Sequence, residues 1–177
     1  MERSKQSTEF IEQSILRLKE NTPRIEKCLD QLTEEEIWQK PNSASNSVGN
    51  LILHLCGNIT QYIISSLGAE DDKRDRDLEF TTTAGYSKIE LLKKLDTTVV
   101  KAMAIIKKLS DDALMQKRSV QGFEYSAMGS IIHVVEHYSY HTGQIAFWTK
   151  LLRDKDLGFY EGIDLNIKNS PGNKTVE

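Results

Sequence analysis

Glycine and proline are scarce in this chain, with 10 and 3 residues among 177. The two residue types that most often break helices are few, and helix formers dominate. Short stretches with strand chemistry, such as Thr97-Thr98-Val99-Val100, lie inside helical patterns. Two cysteines, Cys28 and Cys56, form no C-x-x-C pair and are too few to staple a domain of this length. The expectation is a pair of reduced, buried thiols. Cys56 follows His54 by two residues and belongs on a different helix face, which weighs against a reactive role beside that histidine. There is no basic excess. The net charge is −3 with 28% charged residues, an ordinary soluble surface that gives no reason to expect a nucleic-acid partner. No apolar run approaches the roughly 20 residues that span a bilayer. The stretch MERSKQSTEF lacks the apolar core of a secretory signal, so the expected location is the cytoplasm, with no membrane partner. No Walker loop, dinucleotide fingerprint or G-x-S-x-G is present.

What the chain does have is helical periodicity. A length of 177 residues fits a single domain, drawn here over residues 1–165, with a polar, frayed tail at 166–177. Four long helices are predicted. The first runs from about Ser7 to Gln31, with a kink or break expected at Pro23. A short helical turn follows at Thr33–Trp38, capped by Thr33 and Glu36, and then a loop at 41–46. The second helix opens at Asn46 or Ser47 and stops at Gly68. The third covers about Ser87–Leu109, with Ile89, Leu92, Leu95, Val99, Met103 and Ile106 on its buried side. A short turn capped by Ser110 and a loop around Gly122 lead to the fourth, from Ser126 to about Arg153. Beyond it, Gly158-Phe159-Tyr160 is expected to pack back on the bundle. Between the second and third helices, 68–86 carries alternating charges in Lys73-Arg74-Asp75-Arg76-Asp77 and little apolar content. Its length suits a crossover along a bundle. It reads either as a solvated loop with weak internal ion pairs or as a functional segment.

Every histidine lies on one of two strongly apolar helices. His133, His137 and His141 recur every fourth residue in IIHVVEHYSYHTGQIAFW, and each step of four turns about 40°, so the three share one narrow face. Val134, Ile145, Trp148 and Leu152 fall on the same side, while Glu136, Thr142 and Lys150 fall elsewhere. His54 heads a row of Asn58, Gln61 and Ser65 on the second helix, with Gly57 removing bulk beside it; that row is either a solvated seam or the wall of a site. An internal echo links the halves. Ser47 stands seven residues before His54 as Ser126 does before His133, and a short capped turn precedes each helix. Two related hairpins about a pseudo-two-fold axis would bring His54 to the histidine row, although common cap grammar can produce the same match.

Buried imidazoles need hydrogen-bond partners or a metal. Three from two helices, with an open fourth position, match the ligand count of a catalytic site, and Zn²⁺, Ni²⁺ and Fe²⁺ all accept nitrogen donors. His137 and His141 form the best pair. His133 belongs outside the first set of ligands, because the ends of the row lie about 12 Å apart along the helix axis. Asn58, one turn after His54, and Gln144, beside the row, are candidate outer partners of the ligands. Glu-x-x-His pairs of di-iron bundles are absent. Histidine ligation also predicts metal affinity that falls below about pH 6.

These residues carry a family resemblance. His137-x-x-x-His141-Thr-Gly-Gln144, with a single His54 on an earlier helix, resembles the DinB/YfiT-like superfamily of four-helix metal-binding proteins. SNSVGNLILHLCGN, KRDRDLEF and HVVEHYSYHTGQIAFWTKLL look closer still to an uncharacterised branch of it, and the resemblance runs from Asn42 to about Tyr160. It implies an all-α, DinB-like four-helix bundle with an up-down-down-up course and the long crossover between helices two and three. It implies a divalent metal on His54, His137 and His141, with His133 outside that set, and homodimers. Characterised members are metal-dependent thiol transferases and isomerases that use low-molecular-weight thiols, acting on small molecules. The resemblance therefore implies a possible enzyme of that kind, transferring a thiol to a small substrate or hydrolysing one. The other readings are a non-enzymatic metal-binding or stress-response homodimer and a structural helical interaction module.

Overall fold

The computed structural model describes residues 3–169. Four long helices form a bundle: α1 (Lys5–Gln31), α2 (Val48–Ile59), α4 (Lys88–Ile106) and α6 (Ala127–Arg153). Two short helices, α3 (Arg76–Thr81) and α5 (Asp111–Met115), lie in the connections. A two-stranded antiparallel hairpin, β1 (Lys117–Val120) and β2 (Phe123–Ser126), precedes α6. The loop expected around Gly122 is this hairpin's turn, with Gln121 and Gly122 both at positive φ, 51° and 78°.

Capping sets where the helices start. Ser47 accepts from the Asn50 amide and Asn50 answers with a capping box; Ser87 and Glu90 repeat the arrangement on α4. Ser126 accepts from the Gly129 amide at the head of α6. Such caps are worth about 1 kcal/mol each. The predicted turn at Thr33–Trp38 keeps its reciprocal Thr33–Glu36 bonds but makes only a turn, not a helix.

Side-chain contacts fix the course of the chain. Thr22 Oγ1 meets Tyr138 Oη at 2.8 Å and Arg153 Nε donates to Gln31 O, so α1 and α6 run parallel. His54 faces His137 and His141 while Tyr62 stacks on His133, so α2 and α6 run antiparallel. Trp38 packs on Gly49 and donates to Tyr86 O near the start of α4, and Ile105 approaches Gly68 at its end, so α2 and α4 run the same way. The bundle is up-down-down-up, and segment 68–86 returns the chain along its length.

The core lies between these helices, filled by residues such as Leu18, Ile25, Ile52, Leu55, Leu91, Leu95 and Ile131. Three expectations change. Pro23 neither breaks nor ends α1; Asn21 and Thr22 donate side-chain hydrogen bonds to Arg17 O and Leu18 O around it. Ile89 is 77% exposed, because the buried side of α4 runs through Leu91, Leu95, Val99, Ala102 and Ile106. Thr142 is buried, because α6 is covered by α1 as well as by α2. Phe159 does pack against the core, with Arg24 stacked over it. Residues 161–169 are exposed, and the rest of the tail predicted at 166–177 lies outside the described residues. No helix among the described residues is long and apolar enough to cross a membrane.

Candidate metal centre

α2 and α6 cross at the histidines. His54 Nε2 and His137 Nε2 are 2.9 Å apart. The His141 ring centroid lies 5.0 Å from that of His54 and 4.4 Å from that of His137. One ring nitrogen from each of the three falls within 4.8 Å of the other two. His54 and His141 are buried and His137 is half-buried. His54 and the histidine row thus meet across the interior, as the bundle course requires.

The outer partners set which nitrogen faces inward. His54 Nδ1 lies 2.9 Å from Glu79 Oε2, which accepts, and 3.2 Å from Arg74 Nη2, so Nδ1 is engaged by the crossover and Nε2 is the nitrogen turned toward the cluster. His141 Nδ1 donates to Gln144 Oε1 at 2.6 Å, which leaves its Nε2 bare. Gln144 Nε2 in turn donates to Tyr140 Oη. Burial, followed by the neighbouring charges of His141, His54, His133 and Arg74, pushes the His137 pKa down to about 3. Burial also lowers that of His141, against the opposing effect of the hydrogen bond it donates to Gln144. These two rings are neutral at pH 7, the form that binds metals. The donor set is all imidazole, without thiolate or carboxylate, and suits borderline divalent ions such as zinc, nickel or iron(II).

The crossover supplies what helical periodicity did not reveal. Arg74 Nε and Nη2 fork onto Glu79 Oε1 and Oε2 at 2.8 and 2.9 Å, and Arg74 Nη1 donates to Gln61 Oε1. Phe80 lies against the His54 ring at 4.7 Å between centroids. Burial alone would raise the Glu79 pKa, but the hydrogen bonds and charges of Arg74 and His54 outweigh it and hold the carboxyl below its ordinary value. The polar row on α2 is therefore covered by the crossover instead of being a solvated seam, and 68–86 is not a bare solvated loop. The sequence signal was present in KRDRDLEF, where Arg74, Glu79 and Phe80 stand together, but the alternating charges hid it. Gly57 belongs to the same construction: a Cβ there would overlap Glu79 Oε1 and come within 2.9 Å of Arg74 Nε.

Asn58 and His133 sit one turn along. Asn58, expected beside His54, instead faces His133 Nε2 at 3.1 Å, because Glu79 already occupies the free nitrogen of His54. His133 stacks between Tyr62 and His137, at 4.2 and 5.3 Å between centroids, and lies outside the three-nitrogen cluster. Below this point α2 continues as a π-helical stretch, Thr60–Ser65, where a regular helix to Leu67 was expected. It carries Gln61 to Arg74 and Tyr62 to His133; such stretches frequently occur at functional sites.

Two cavities are lined by residues that hold the histidines, though by none of the histidines themselves. One of about 410 Å³ includes Cys56, Gly57, Arg74 and Glu79 in its walls. The other, of about 630 Å³, lies along Tyr140, Gln144, Phe147 and Trp148 on α6. Cys56 and Cys28 are free and buried, and burial pushes their thiols up to about 12 and about 11. Neither is a ready nucleophile.

Solved structures share this architecture. A conserved protein from Enterococcus faecalis superposes with a TM-score of 0.71 at 17% identity, over 81% of this chain and 97% of that one. A DinB-like protein from Bacillus cereus gives 0.64 at 16% identity, over 80% and 92%. A DinB-like protein from Bacillus subtilis gives 0.62 at 14% identity, over 81% and 94%. No curated protein matches the sequence. The fold is thus that of the DinB-like bundles, and the chain, matched over residues 5–161, belongs to the family described as "Protein of unknown function (DUF1572)".

Proposed function

We propose that His54, His137 and His141 hold one divalent ion, zinc, nickel or iron(II), and that the protein is a metal-dependent enzyme acting on a small molecule. The observation that carries this reading is the pair of facing nitrogens. Glu79 engages His54 Nδ1 and Gln144 engages His141 Nδ1, so His54 Nε2 points at His137 Nε2 across 2.9 Å with the His141 ring alongside. Ring nitrogens gathered in this way suit a cation between them. When bound, such an ion supplies a Lewis acid that makes a small thiol or a water nucleophilic near neutral pH. The chain's own part is to bind and to orient. Glu79 and Gln144 fix two rings by their outer nitrogens, and burial keeps His137 and His141 unprotonated. The groove along Tyr140, Gln144, Phe147 and Trp148 offers room for an apolar small molecule next to Gln144, the residue bonded to His141. Thiol transfer or hydrolysis is the reaction class. A homodimer in the cytoplasm, using a low-molecular-weight thiol, is the setting in which we place it.

One observation favours a second reading, in which the cluster is structural. His137 Nε2–H donating to His54 Nε2 would satisfy both nitrogens with no ion. One experiment separates the two. The protein is prepared without a histidine tag, loaded with Zn²⁺ or Ni²⁺, and offered a generic electrophile with and without a small thiol. Metal-dependent turnover that disappears in His137→Ala is expected. Stoichiometric uptake without turnover would leave a non-enzymatic metal-binding protein, and no uptake would leave the structural cluster.

A further inference from the structure

The crossover reaches His54 with the Glu79 carboxylate at 2.9 Å and Arg74 Nη2 at 3.2 Å from Nδ1 and with Phe80 against the ring, and the carboxylate is itself held by several groups. Glu79 receives the two-pronged Arg74 guanidinium and lies against His54 Nδ1. All three side chains are 8% exposed or less. The backbone around it is tied down separately. Asn50, fully buried in the first turn of α2, donates to Glu79 O at 2.9 Å and to Thr82 O at 2.6 Å. Gly57 leaves the space that the Glu79 carboxylate fills. A free surface loop needs none of these arrangements. Together they fix the rotation of one imidazole, with Nδ1 held by the clamp and Nε2 turned to the cluster.

We infer that Arg74 and Glu79 form a clamp that aims His54 Nε2 into the cluster, so that binding of an ion and ordering of the crossover 68–86 are linked. This inference rests on the metal reading above. The clamp's charges cancel, since the guanidinium neutralises the carboxylate. Glu79 therefore orients His54 while adding little negative charge to the centre. Three neutral imidazoles and a neutral clamp leave a bound dication its full charge, which favours an anionic ligand such as a thiolate or carboxylate in the open position. Linkage is reciprocal: if the ordered clamp favours the ion, the ion favours the ordered clamp by the same factor.

The test measures affinity for Zn²⁺ alone against a competing chelator, with amide hydrogen exchange across 68–86 read in parallel. Glu79→Ala is expected to weaken binding by about 10- to 100-fold. Glu79→Gln keeps one acceptor for His54 but leaves the Arg74 charge unpaired, so it should recover only part of that loss. Gly57→Ala displaces the carboxylate without altering any charge and should weaken binding as Glu79→Ala does. Alanine is the better helix former, so a loss there cannot come from a weaker α2. It also decides the matter if Glu79→Ala does not fold. In the native protein Zn²⁺ should slow exchange at 72–82, and in Glu79→Ala it should not. Native affinity in both Glu79→Ala and Gly57→Ala, or exchange across 72–82 that ignores the ion, would overturn the clamp while leaving the metal site intact. A native protein that binds no Zn²⁺ would overturn the metal reading first.

Discussion

The helices α2 and α6 and the crossover 68–86 contribute to the same site in different ways. The helices announce their contribution through spacing: His137 and His141 are one turn apart, and His54 heads a polar row on an apolar helix. The crossover brings Arg74, Glu79 and Phe80 to His54 from a segment with no long period and a mixture of charges. A helix places its side chains through geometry that local sequence encodes. A crossover places them through contacts with whatever it crosses, here the Asn50 amide and the gap at Gly57. The positions of the clustered histidines are therefore readable from the chain, whereas the groups packed against them become visible only in three dimensions.

The sharpest way to break this comparison is to remove a ligand supplied by each helix. His54→Ala on α2 and His137→Ala on α6 should each reduce Zn²⁺ affinity by more than about 100-fold, beyond the loss expected for an outer partner. Competition with a chelator measures it. An equal loss in both places the ion between the helices, and loss in only one would place it elsewhere.

Anchoring the crossover comes next. Asn50→Ala leaves the carbonyls of Glu79 and Thr82 without their donor and should cost about 1–3 kcal/mol in urea unfolding. A change below about 0.5 kcal/mol would mean that the crossover is not fastened to α2 in solution.

The pH dependence separates the buried rings from ordinary histidines. In the metal-free protein His137 titrates at about 3, below its usual 6.5. Its native form stays neutral while the unfolded chain takes up a proton, so stability is full above about pH 6.5 and declines as the pH falls toward 3. Glu79 acts in the same sense at lower pH: its depressed pKa contributes stability above 4.5, the unfolded value, and loses it as the pH falls through the native one. Urea titrations from pH 7 to 4 should show the decline, and His137→Asn should flatten its upper part.

Smaller effects sharpen the line between ligand and neighbour. His133 shares its helix face with His137 but stacks on Tyr62 and faces Asn58. His133→Ala should change Zn²⁺ affinity by less than about 10-fold, under the usual loss for an outer partner. A 100-fold loss would move His133 into the first set of ligands. Smallest of all, Ile89→Ala at a 77% exposed position should alter stability by no more than about 0.5 kcal/mol.

Much of the fold was legible because its signals are local. Ser47, Ser110 and Ser126 each open a helix where the sequence placed a cap, and Ser87 caps the third helix, whose start the sequence put there. The scarcity of Gly and Pro forecast an all-helical bundle, and the length of 68–86 forecast its crossover. What escaped depends on long-range contacts. Ile89 looks like a core residue until the packing of α4 against α1 and α2 sets its buried side at Leu91 and Leu95. The β1–β2 hairpin is four residues a side, too short for period-two alternation to stand out. The π-helical stretch at Thr60–Ser65 leaves no mark in composition. Asn58 was assigned to the wrong histidine because sequence spacing could not show that Glu79 had taken the place beside His54.

The most direct measurement is anomalous diffraction from crystals of untagged protein grown with Zn²⁺ or Ni²⁺. The account predicts one anomalous peak per chain, bounded by the Nε2 atoms of His54, His137 and His141, with Glu79 still on the far nitrogen of His54. An empty map, with His54 Nε2 and His137 Nε2 still hydrogen-bonded to one another, would contradict it.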